Sequence, residues 1–345
     1  MKFIQQLGHE PIDIVGDVHG EIHALKKLIH ALGYDEQGHH PEGRKLVFVG
    51  DLCDRGPDSV AVLNWVRQRV EQQQAYCILG NHELNLLLNA KREGNGWFFS
   101  GEHPDQKKAF GSKPATDADR EWIIAFLKQL PIALTSDTLR IVHACWDEDS
   151  LARIMDVEHL YPDIIALYRG FEMQIQQQLS KSGLLHHAEH EKQQYADKLV
   201  DPHAHIPLLK NVAEYDVAMQ TQHPVKVLTS GIEWRARHPT YSHGKWRMTR
   251  RVSWWEHYQH DIPVVIGHYW RSLSHTPASG VFADVPPTVW LGKKANIFCV
   301  DYSVGKRYLD RQQQRPFSSY LMALRWPEKT LVREDGKQYA TQARN

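Results

Sequence analysis

The first half of the chain alternates short apolar runs with longer segments whose apolar residues recur at helical spacing. In the segment 22–32 one face of a helix is apolar, formed by Ile22, Leu25, Leu28, Ile29 and Leu32. Segments 62–70 and 83–90 follow the same pattern, and an apolar run of strand length precedes each of them. This alternation predicts an α/β fold with a largely parallel sheet and helices packed outside it. In such folds the loops that follow the strands commonly hold the ligands.

The later part of the chain changes character twice. Residues 91–116 are rich in Gly, Pro and charge, which predicts a loop or lid, and a helix is expected over 117–130. Residues 150–261 are polar and rich in Gln and His, and they predict a helical insertion. Strand patterns resume at 264–267, 296–301 and 319–326. We therefore expect a single domain over 1–345, in which the insertion overhangs the site formed by the strands on either side.

The charge balance narrows the classes of partner. Lys plus Arg and Asp plus Glu each number 41 among the 345 residues, so the formal net charge is zero. Because a general nucleic-acid binder needs a cationic surface, no general nucleic-acid binding is expected. No apolar stretch reaches the length that spans a bilayer, and the N-terminal segment lacks a secretory apolar core. The expectation is a cytoplasmic protein with no membrane partner.

Polar residues of the kinds that bind metals directly follow five of the apolar runs. These blocks occupy positions 16–20, 50–56, 80–83, 142–144 and 267–268. One such block is more often a turn with a solvated histidine, but five in a row are not explained in that way. Carboxylate and amide oxygens mixed with imidazoles suit divalent first-row metals. Two such ions suit in-line attack on phosphorus, so the blocks predict a dinuclear site for phosphoester chemistry.

These five blocks resemble those of the calcineurin-like metallophosphoesterases, within their phosphoprotein-phosphatase branch. Symmetrical diadenosine tetraphosphatases and the phosphatase domains of bacterial polynucleotide kinase–phosphatases are similar groups. The resemblance covers roughly residues 12–145 and 260–335. It implies an αββα sandwich with a helical insertion over the active site. One departure is Glu83, where the tetraphosphatases usually carry aspartate, and it leaves the substrate open.

The resemblance implies a centre with two divalent metal ions and six protein ligands. The ligands are Asp17, His19, Asp51, Asn81, His143 and His268. Asp51 is expected to bridge the two ions, while Asn81 supplies a neutral amide oxygen to the second. Manganese is the expected metal, with iron, zinc, nickel and cobalt as alternatives. A hydroxide that bridges the ions is the expected nucleophile, attacking phosphorus without a phosphoenzyme.

The resemblance also implies residues that handle the proton and the phosphoryl oxygens. His82 is expected to protonate the leaving oxygen while Asp54 orients its imidazole, although Asp54 also suits a turn or helix cap. Arg55 is expected to hold phosphate oxygens through its planar fork. Asp301 resembles a carboxylate that orients a ligand histidine in the family.

A second phosphate-binding arginine is expected from the insertion. The segment 251–258 is similar to the one that supplies this arginine in the polynucleotide phosphatases, which favours Arg251. Arg247 and Arg250 are alternatives, and a solvated basic turn explains the cluster equally well.

Some of the eleven tryptophans lie in regions expected to border the cleft. They are Trp97, Trp234, Trp254 and Trp255. Each could stack on a nucleobase, although most large aromatic residues pack in a core.

The predicted activity is metal-dependent hydrolysis of phosphate esters or anhydrides, with dinucleoside polyphosphates as one substrate class. A Ser/Thr/Tyr protein phosphatase and a phosphatase of nucleic-acid ends are alternatives, so the expected partner is a phosphorylated small molecule, a nucleotide or a phosphoprotein. A non-enzymatic module that binds a phospho-ligand is disfavoured, because every proposed ligand and His82 are present. A kinase is disfavoured because the sequence has no Gly-x-x-x-x-Gly-Lys-Ser/Thr loop.

Overall fold

Two sheets, each with parallel and antiparallel strand pairs, form the centre of the protein. The computed structural model describes residues 2–107, 110–242, 244–273, 276–277 and 280–343. The strands are β1 (Ile4–Gln6), β2 (Ile12–Val15), β3 (Lys45–Phe48), β4 (Ala75–Cys77), β5 (Ala133–Thr135), β6 (Arg140–Val142), β7 (Glu233–Ser242), β8 (Lys245–Arg251), β9 (Val264–Ile266), β10 (Ile297–Cys299), β11 (Met322–Trp326), β12 (Thr330–Arg333) and β13 (Gln338–Ala340). The helices are α1 (Ile22–Leu32), α2 (Ser59–Glu71), α3 (Asn81–Leu87), α4 (Asp117–Leu127), α5 (Glu148–Val157), α6 (Ile164–Lys181), α7 (Leu184–Gln194), α8 (Ala196–Val200), α9 (Lys210–Thr221), α10 (Pro224–Ser230) and α11 (Arg307–Gln312).

The sheet topology brings the carboxyl ends of strands from two sheets to one region. One sheet has the order β13-β12-β11-β2-β3-β4, in which β2, β3 and β4 are parallel. The other has the order β1-β5-β6-β9-β10, in which β6, β9 and β10 are parallel. The polar blocks predicted to hold metal follow these parallel strands. The predicted ligands therefore come from both sheets rather than from one.

The core between the sheets is built from alternate strand residues. One buried cluster contains Ile14 and Val47 from the first sheet, Val265 and Phe298 from the second, and no helical residue. Their neighbours in sequence point the other way, into a larger cluster with the apolar faces of the helices. For example, Leu25 of α1 is fully buried in that second cluster. This is the layered α/β sandwich expected from the sequence, so the predicted fold class is confirmed.

The segment between β6 and β9 differs in part from the predicted helical insertion. Helices α5 to α10 fill most of it, but its last part is the antiparallel hairpin of β7 and β8. The hairpin packs on α9 through Met248, and Ala236 is its other buried residue. Tyr241 and Trp246 attach it to the end of α8, since they donate hydrogen bonds to the carbonyls of Val200 and Asp201. Across the described part of the chain, no helix combines the length and apolarity needed to cross a membrane.

Candidate active site

Residues from both sheets form two groups that could each hold a cation. One group contains His19, Asp51 and His82, and the other contains Asp51, His143 and His268. Within each group the possible ligand atoms lie within 4.8 Å of one another, and all the residues are buried. Asp51 belongs to both groups. Its carboxylate therefore lies where a bridging ligand between two ions would have to lie.

The backbone at the site is held in conformations that ordinary residues rarely adopt. Five site residues have left-handed φ angles, namely His19 at 47°, Asp51 at 49°, Asp54 at 74°, Arg55 at 67° and His268 at 68°. Such conformations cost free energy and persist only where the surroundings enforce them. Their concentration here shows that the fold sets the direction of these side chains at the expense of local stability.

Two glycines in the sequence blocks make room for carboxylates. A Cβ atom on Gly80 would lie 2.2 Å from Oδ1 of Asp51. A Cβ atom on Gly267 would lie 2.1 Å from Oδ1 of Asp17. Both distances are far below van der Waals contact, so a larger residue at either position would displace a carboxylate of the site.

Glu83 is a site residue whose role the sequence analysis missed. Its buried carboxylate accepts hydrogen bonds from the backbone N–H groups of Asp51, Leu52 and Gly80, at 2.8, 2.8 and 3.0 Å. It therefore fixes the turn that presents Asp51. The available signal was an acidic residue at the third position of a helix that begins with Asn81, where a carboxylate can accept backbone N–H groups.

The imidazoles are oriented by backbone carbonyls. Nδ1–H of His19 donates to the carbonyl of Cys53 at 3.0 Å, and Nδ1–H of His143 donates to the carbonyl of Val49 at 2.7 Å. The Nε2 atoms are thereby turned towards Asp51, 3.9 Å away for His19 and 3.4 Å away for His143. Burial lowers the pKa of His19 well below its usual value, which keeps that imidazole neutral and its lone pair available.

The donor set fits a cation better than it fits hydrogen bonding alone. Nε2 of His268 is buried and has no hydrogen-bond partner among the described residues. Oδ1 of Asn81, an acceptor, lies 2.9 Å from Nδ1 of His268 and 3.3 Å from Nε2 of His143. Oδ1 of Asn81 can accept Nδ1–H of His268, which leaves Nε2 of His268 as a buried acceptor without a donor, and such an acceptor is costly. Neutral imidazoles, an amide oxygen and carboxylates are suitable ligands for divalent first-row metals, which would satisfy these atoms.

Asp17 lies at the edge of the two groups and belongs to neither. Its carboxylate accepts the backbone N–H of His268 at 3.1 Å. Burial raises the pKa of Asp17 well above its usual value, and the nearby charges of Asp301 and Asp51 raise it further. An adjacent cation would offset this clustering of negative charge. The role of Asp17 as a ligand stays a prediction.

His82 and Asp54 form a close buried pair. Nδ1–H of His82 donates to Oδ2 of Asp54 at 2.5 Å, and Asp54 is completely buried. Nε2 of His82 consequently faces the site, 3.8 Å from Oδ2 of Asp51. This is the arrangement expected for an oriented acid. However, His82 is also a member of one candidate metal group, so its predicted exclusion from the ligands requires a separate test.

Arg55 spans the two imidazoles that face the site. Its Nη1 and Nη2 groups donate to Nε2 of His19 at 3.0 Å and of His82 at 3.2 Å. The indole of Trp270 lies against the guanidinium, with Cζ 4.7 Å from the ring centroid. These contacts hold the guanidinium of Arg55 beside the candidate metal groups, and its role in binding phosphoryl oxygens stays a prediction.

The contacts of Asp301 differ from the predicted ones, and its role in orienting a ligand histidine stays a prediction. Its two carboxylate oxygens accept the backbone N–H groups of Trp270 at 2.8 Å and Ser303 at 2.7 Å, not an imidazole N–H. Backbone carbonyls already occupy the Nδ1–H groups of His19 and His143. Asp301 thus supports Trp270, and through that ring it supports the guanidinium of Arg55.

Of the three arginines considered in the insertion, the contacts connect Arg251 with the site. Its Cζ lies 5.7 Å from the ring centroid of Tyr269. The pKa of His268 is lowered well below its usual value by burial and then by the charge of Arg251, which reflects their proximity. Arg250 instead lies over the ring of Trp234, at 5.6 Å.

Of the four tryptophans proposed to stack on a nucleobase, only Trp234 has an exposed ring. Trp97, Trp254 and Trp255 are buried, and Trp234 is 47% exposed. The stacking hypothesis therefore does not hold for the three buried rings, which pack in the core.

Comparison with known proteins gives one family. A sequence model of the calcineurin-like phosphoesterases matches residues 10–285. The chain is 37% identical over 164 residues to an asymmetrical bis(5′-nucleosyl)-tetraphosphatase of Halalkalibacterium halodurans, covering 44% of this chain and 65% of that protein. It is 34% identical over 131 residues to a symmetrical bis(5′-nucleosyl)-tetraphosphatase of Pectobacterium carotovorum, covering 38% and 41%.

The match to an asymmetrical tetraphosphatase of Oceanobacillus iheyensis is shorter but closer, at 49% identity over 74 residues, covering 21% of this chain and 30% of that protein. The chain thus spans less than two thirds of the length of these relatives. Among solved structures, a cold-active protein-tyrosine phosphatase of a Shewanella species is similar over 99% of this chain and 83% of that one. The TM-score is 0.52 and the sequence identity is 14%, so the likeness is one of fold.

Proposed function

Since the chain belongs to the calcineurin-like phosphoesterases, as its sequence blocks predict, we propose that it is a metal-dependent hydrolase of phosphate esters or anhydrides. We further propose that a dinucleoside polyphosphate is its preferred substrate. The observation that carries the reaction class is the sharing of Asp51 by two candidate metal groups. Beside it lie a guanidinium, Arg55, and an imidazole held by a buried carboxylate, His82 with Asp54.

The proposed roles divide among four kinds of residue. The ions would be held by the six predicted ligands, which are Asp17, His19, Asp51, Asn81, His143 and His268. Two divalent ions there would activate water near neutral pH and neutralise charge on the phosphoryl group. The guanidinium of Arg55 would exchange its imidazole contacts for phosphoryl oxygens. Nε2 of His82, once protonated, would give its proton to the leaving oxygen, while Asp54 holds Nδ1.

The charge of the β7–β8 hairpin supports a substrate with several phosphates. Residues 233–251 contain six Lys or Arg side chains and one acidic side chain, in a chain whose formal net charge is zero. Arg237, Arg250 and Arg251 are exposed, and no acidic group of the described residues lies within 4 Å of their charged atoms. Arg251 ends the hairpin beside the site. The cationic strands would therefore attract the negative phosphates of the substrate that lie beyond the reacting phosphorus. The similarity to tetraphosphatases supports the same substrate class.

A substrate panel tests this proposal. The purified protein, stripped of metal by a chelator and reloaded with manganese, iron, zinc, nickel or cobalt, would be assayed on three substrates. These are diadenosine tetraphosphate, phosphopeptides and 3′-phosphorylated oligonucleotides. We expect metal-dependent hydrolysis with the highest kcat/KM on diadenosine tetraphosphate. A preference for phosphopeptides or oligonucleotides would replace the proposed substrate, and binding without turnover for every metal would contradict the proposed reaction.

Replacing Arg251 with alanine should lower kcat/KM by about 10- to 100-fold, the scale of a charge-assisted hydrogen bond. Metal content should stay unchanged, because Arg251 is in neither candidate metal group. Arg251→Lys should restore little, since an ammonium cannot make a two-pronged contact. The measurement is steady-state kinetics on diadenosine tetraphosphate together with metal analysis.

Arg250→Ala is the matched control, because Arg250 is the exposed neighbour that lies over Trp234 instead. Its kinetics should stay within about twofold of the wild type, the range of a surface change away from the site. If Arg250→Ala were the damaging change and Arg251→Ala were silent, Arg251 would be the wrong arginine.

A further inference from the structure

A third side chain completes the buried pair of His82 and Asp54. We infer that Trp97 is a positioning residue, whose indole N–H holds the Asp54 carboxylate so that Asp54 can orient His82. Nε1–H of Trp97 donates to Oδ1 of Asp54 at 2.7 Å, while Oδ2 of the same carboxylate accepts Nδ1–H of His82 at 2.5 Å. This inference rests on the proposed function only for its kinetic consequences.

The carboxylate of Asp54 has no solvent to replace a lost donor. Asp54 is 0% exposed, and its backbone N–H is already used, donating to the hydroxyl of Ser59 at 2.9 Å. Among the described residues, one oxygen is satisfied by Trp97 and the other by His82. A buried charged oxygen without a donor is costly, so removal of the indole N–H would favour rotation of the carboxylate. That rotation would release the imidazole from its present plane.

The indole is itself fixed by a well-connected loop. The carboxylate of Asp105 accepts the backbone N–H groups of Gly94 and Gly96, both at 2.7 Å. The carbonyl of Trp97 accepts the N–H of Ala115 at 2.8 Å. The ring is also buried, with 4% of its surface exposed. These contacts and this burial fix the position of the Trp97 ring. A side chain that orients another must itself be fixed in this way.

The same loop also holds Arg55, the site residue that follows Asp54 in the sequence. The carbonyl of Gly94 accepts the backbone N–H of Arg55 at 3.0 Å. Asp54 and Arg55 both have left-handed φ angles, so neither would keep its direction without external contacts. The segment predicted from sequence as a loop or lid thus contacts two consecutive residues of the site. It holds Asp54 through the side chain of Trp97 and Arg55 through the backbone of Gly94.

Trp97→Phe is the informative variant, because it keeps an aromatic ring and removes the N–H. We expect kcat for an alkyl phosphate, a poor leaving group, to fall about tenfold, the effect of losing a hydrogen bond to a charged group. An activated aryl phosphate, which needs little protonation, should change less than about twofold. KM and metal content should match the wild type. In the Asp54→Ala background, Trp97→Phe should add no further loss, because Trp97 acts through Asp54.

Trp290→Phe is the matched control. Trp290 is similarly buried, at 3% exposed, and its Nε1–H donates to the hydroxyl of Thr341 at 2.9 Å. The same atoms are removed from a tryptophan that does not contact Asp54. Its rate for the alkyl phosphate should remain that of the wild type, whereas a general loss of stability would affect both variants alike.

A proton NMR measurement makes the inference independent of turnover. The Nδ1–H of His82 should give a downfield resonance, identified by its absence in His82→Ala. It should persist in Trp290→Phe and shift or exchange with solvent in Trp97→Phe. An unchanged resonance in Trp97→Phe, or equal rate losses on both substrates, would overturn the role of Trp97. A wild-type protein that hydrolyses none of the substrates would overturn the proposed function, and the resonance would still decide whether Trp97 positions the pair.

Discussion

Replacing Asp51 with asparagine should lower hydrolysis by more than about 100-fold, beyond the usual effect of losing a residue that only supports a metal ligand. The same variant should lose metal from both positions. Asp51 is the residue common to the two candidate groups, 3.4 Å from Nε2 of His143 and 3.9 Å from Nε2 of His19. The amide keeps the shape of the carboxylate and removes its charge. Elemental analysis of the purified variant, with steady-state rates, measures both effects.

Asn81→Ala is the comparison for this experiment. The amide oxygen of Asn81 contacts His143 and His268 of the second group. Among the described contacts, it has none with His19 of the first. We therefore expect Asn81→Ala to lose mainly one ion per chain. Two tightly held ions in Asp51→Asn would contradict the bridging assignment, provided that circular dichroism shows the variant to be folded.

Replacing His82 with alanine should lower kcat for substrates with poor leaving groups by about 10²–10⁴-fold, the usual contribution of a general acid. The imidazole is held by Asp54 with its Nε2 atom facing the site, so its loss removes the proton donor. Activated aryl phosphates need less protonation and should lose less. The measurement is kcat across phosphates whose leaving groups span a range of pKa values.

Metal analysis separates the two roles that the geometry of His82 allows. His82 lies in the group with His19 and Asp51, whereas Asp54 lies in neither candidate group. If His82 acts as the acid, His82→Ala and Asp54→Asn should both keep the wild-type metal content and both show the dependence on leaving group. Loss of one ion in His82→Ala alone, with equal rate losses on all substrates, would make His82 a ligand.

Much of the fold could be predicted because strands and helices follow local patterns. The apolar residues between Ile22 and Leu32 predicted the helix that is α1, and the strand pattern at 264–267 contains β9. The β7–β8 hairpin was missed, since its strands carry charged and aromatic residues and bury few apolar ones, among them Ala236 and Met248. Its strand character comes from packing on α9, which a local pattern does not contain.

The order of polar blocks after apolar runs was enough to nominate the metal ligands, because a residue that follows a strand must lie at the end of that strand. Which strand ends meet depends on pairing between distant segments, and here they belong to two sheets. The supporting contacts have the same origin. Trp97 and Asp54 are 43 positions apart, and Asp301 accepts the backbone N–H of Trp270 rather than an imidazole N–H. Residue types and their spacing thus specify the chemistry available, while long-range packing specifies which groups touch, because contact between distant segments is a property of the folded chain alone.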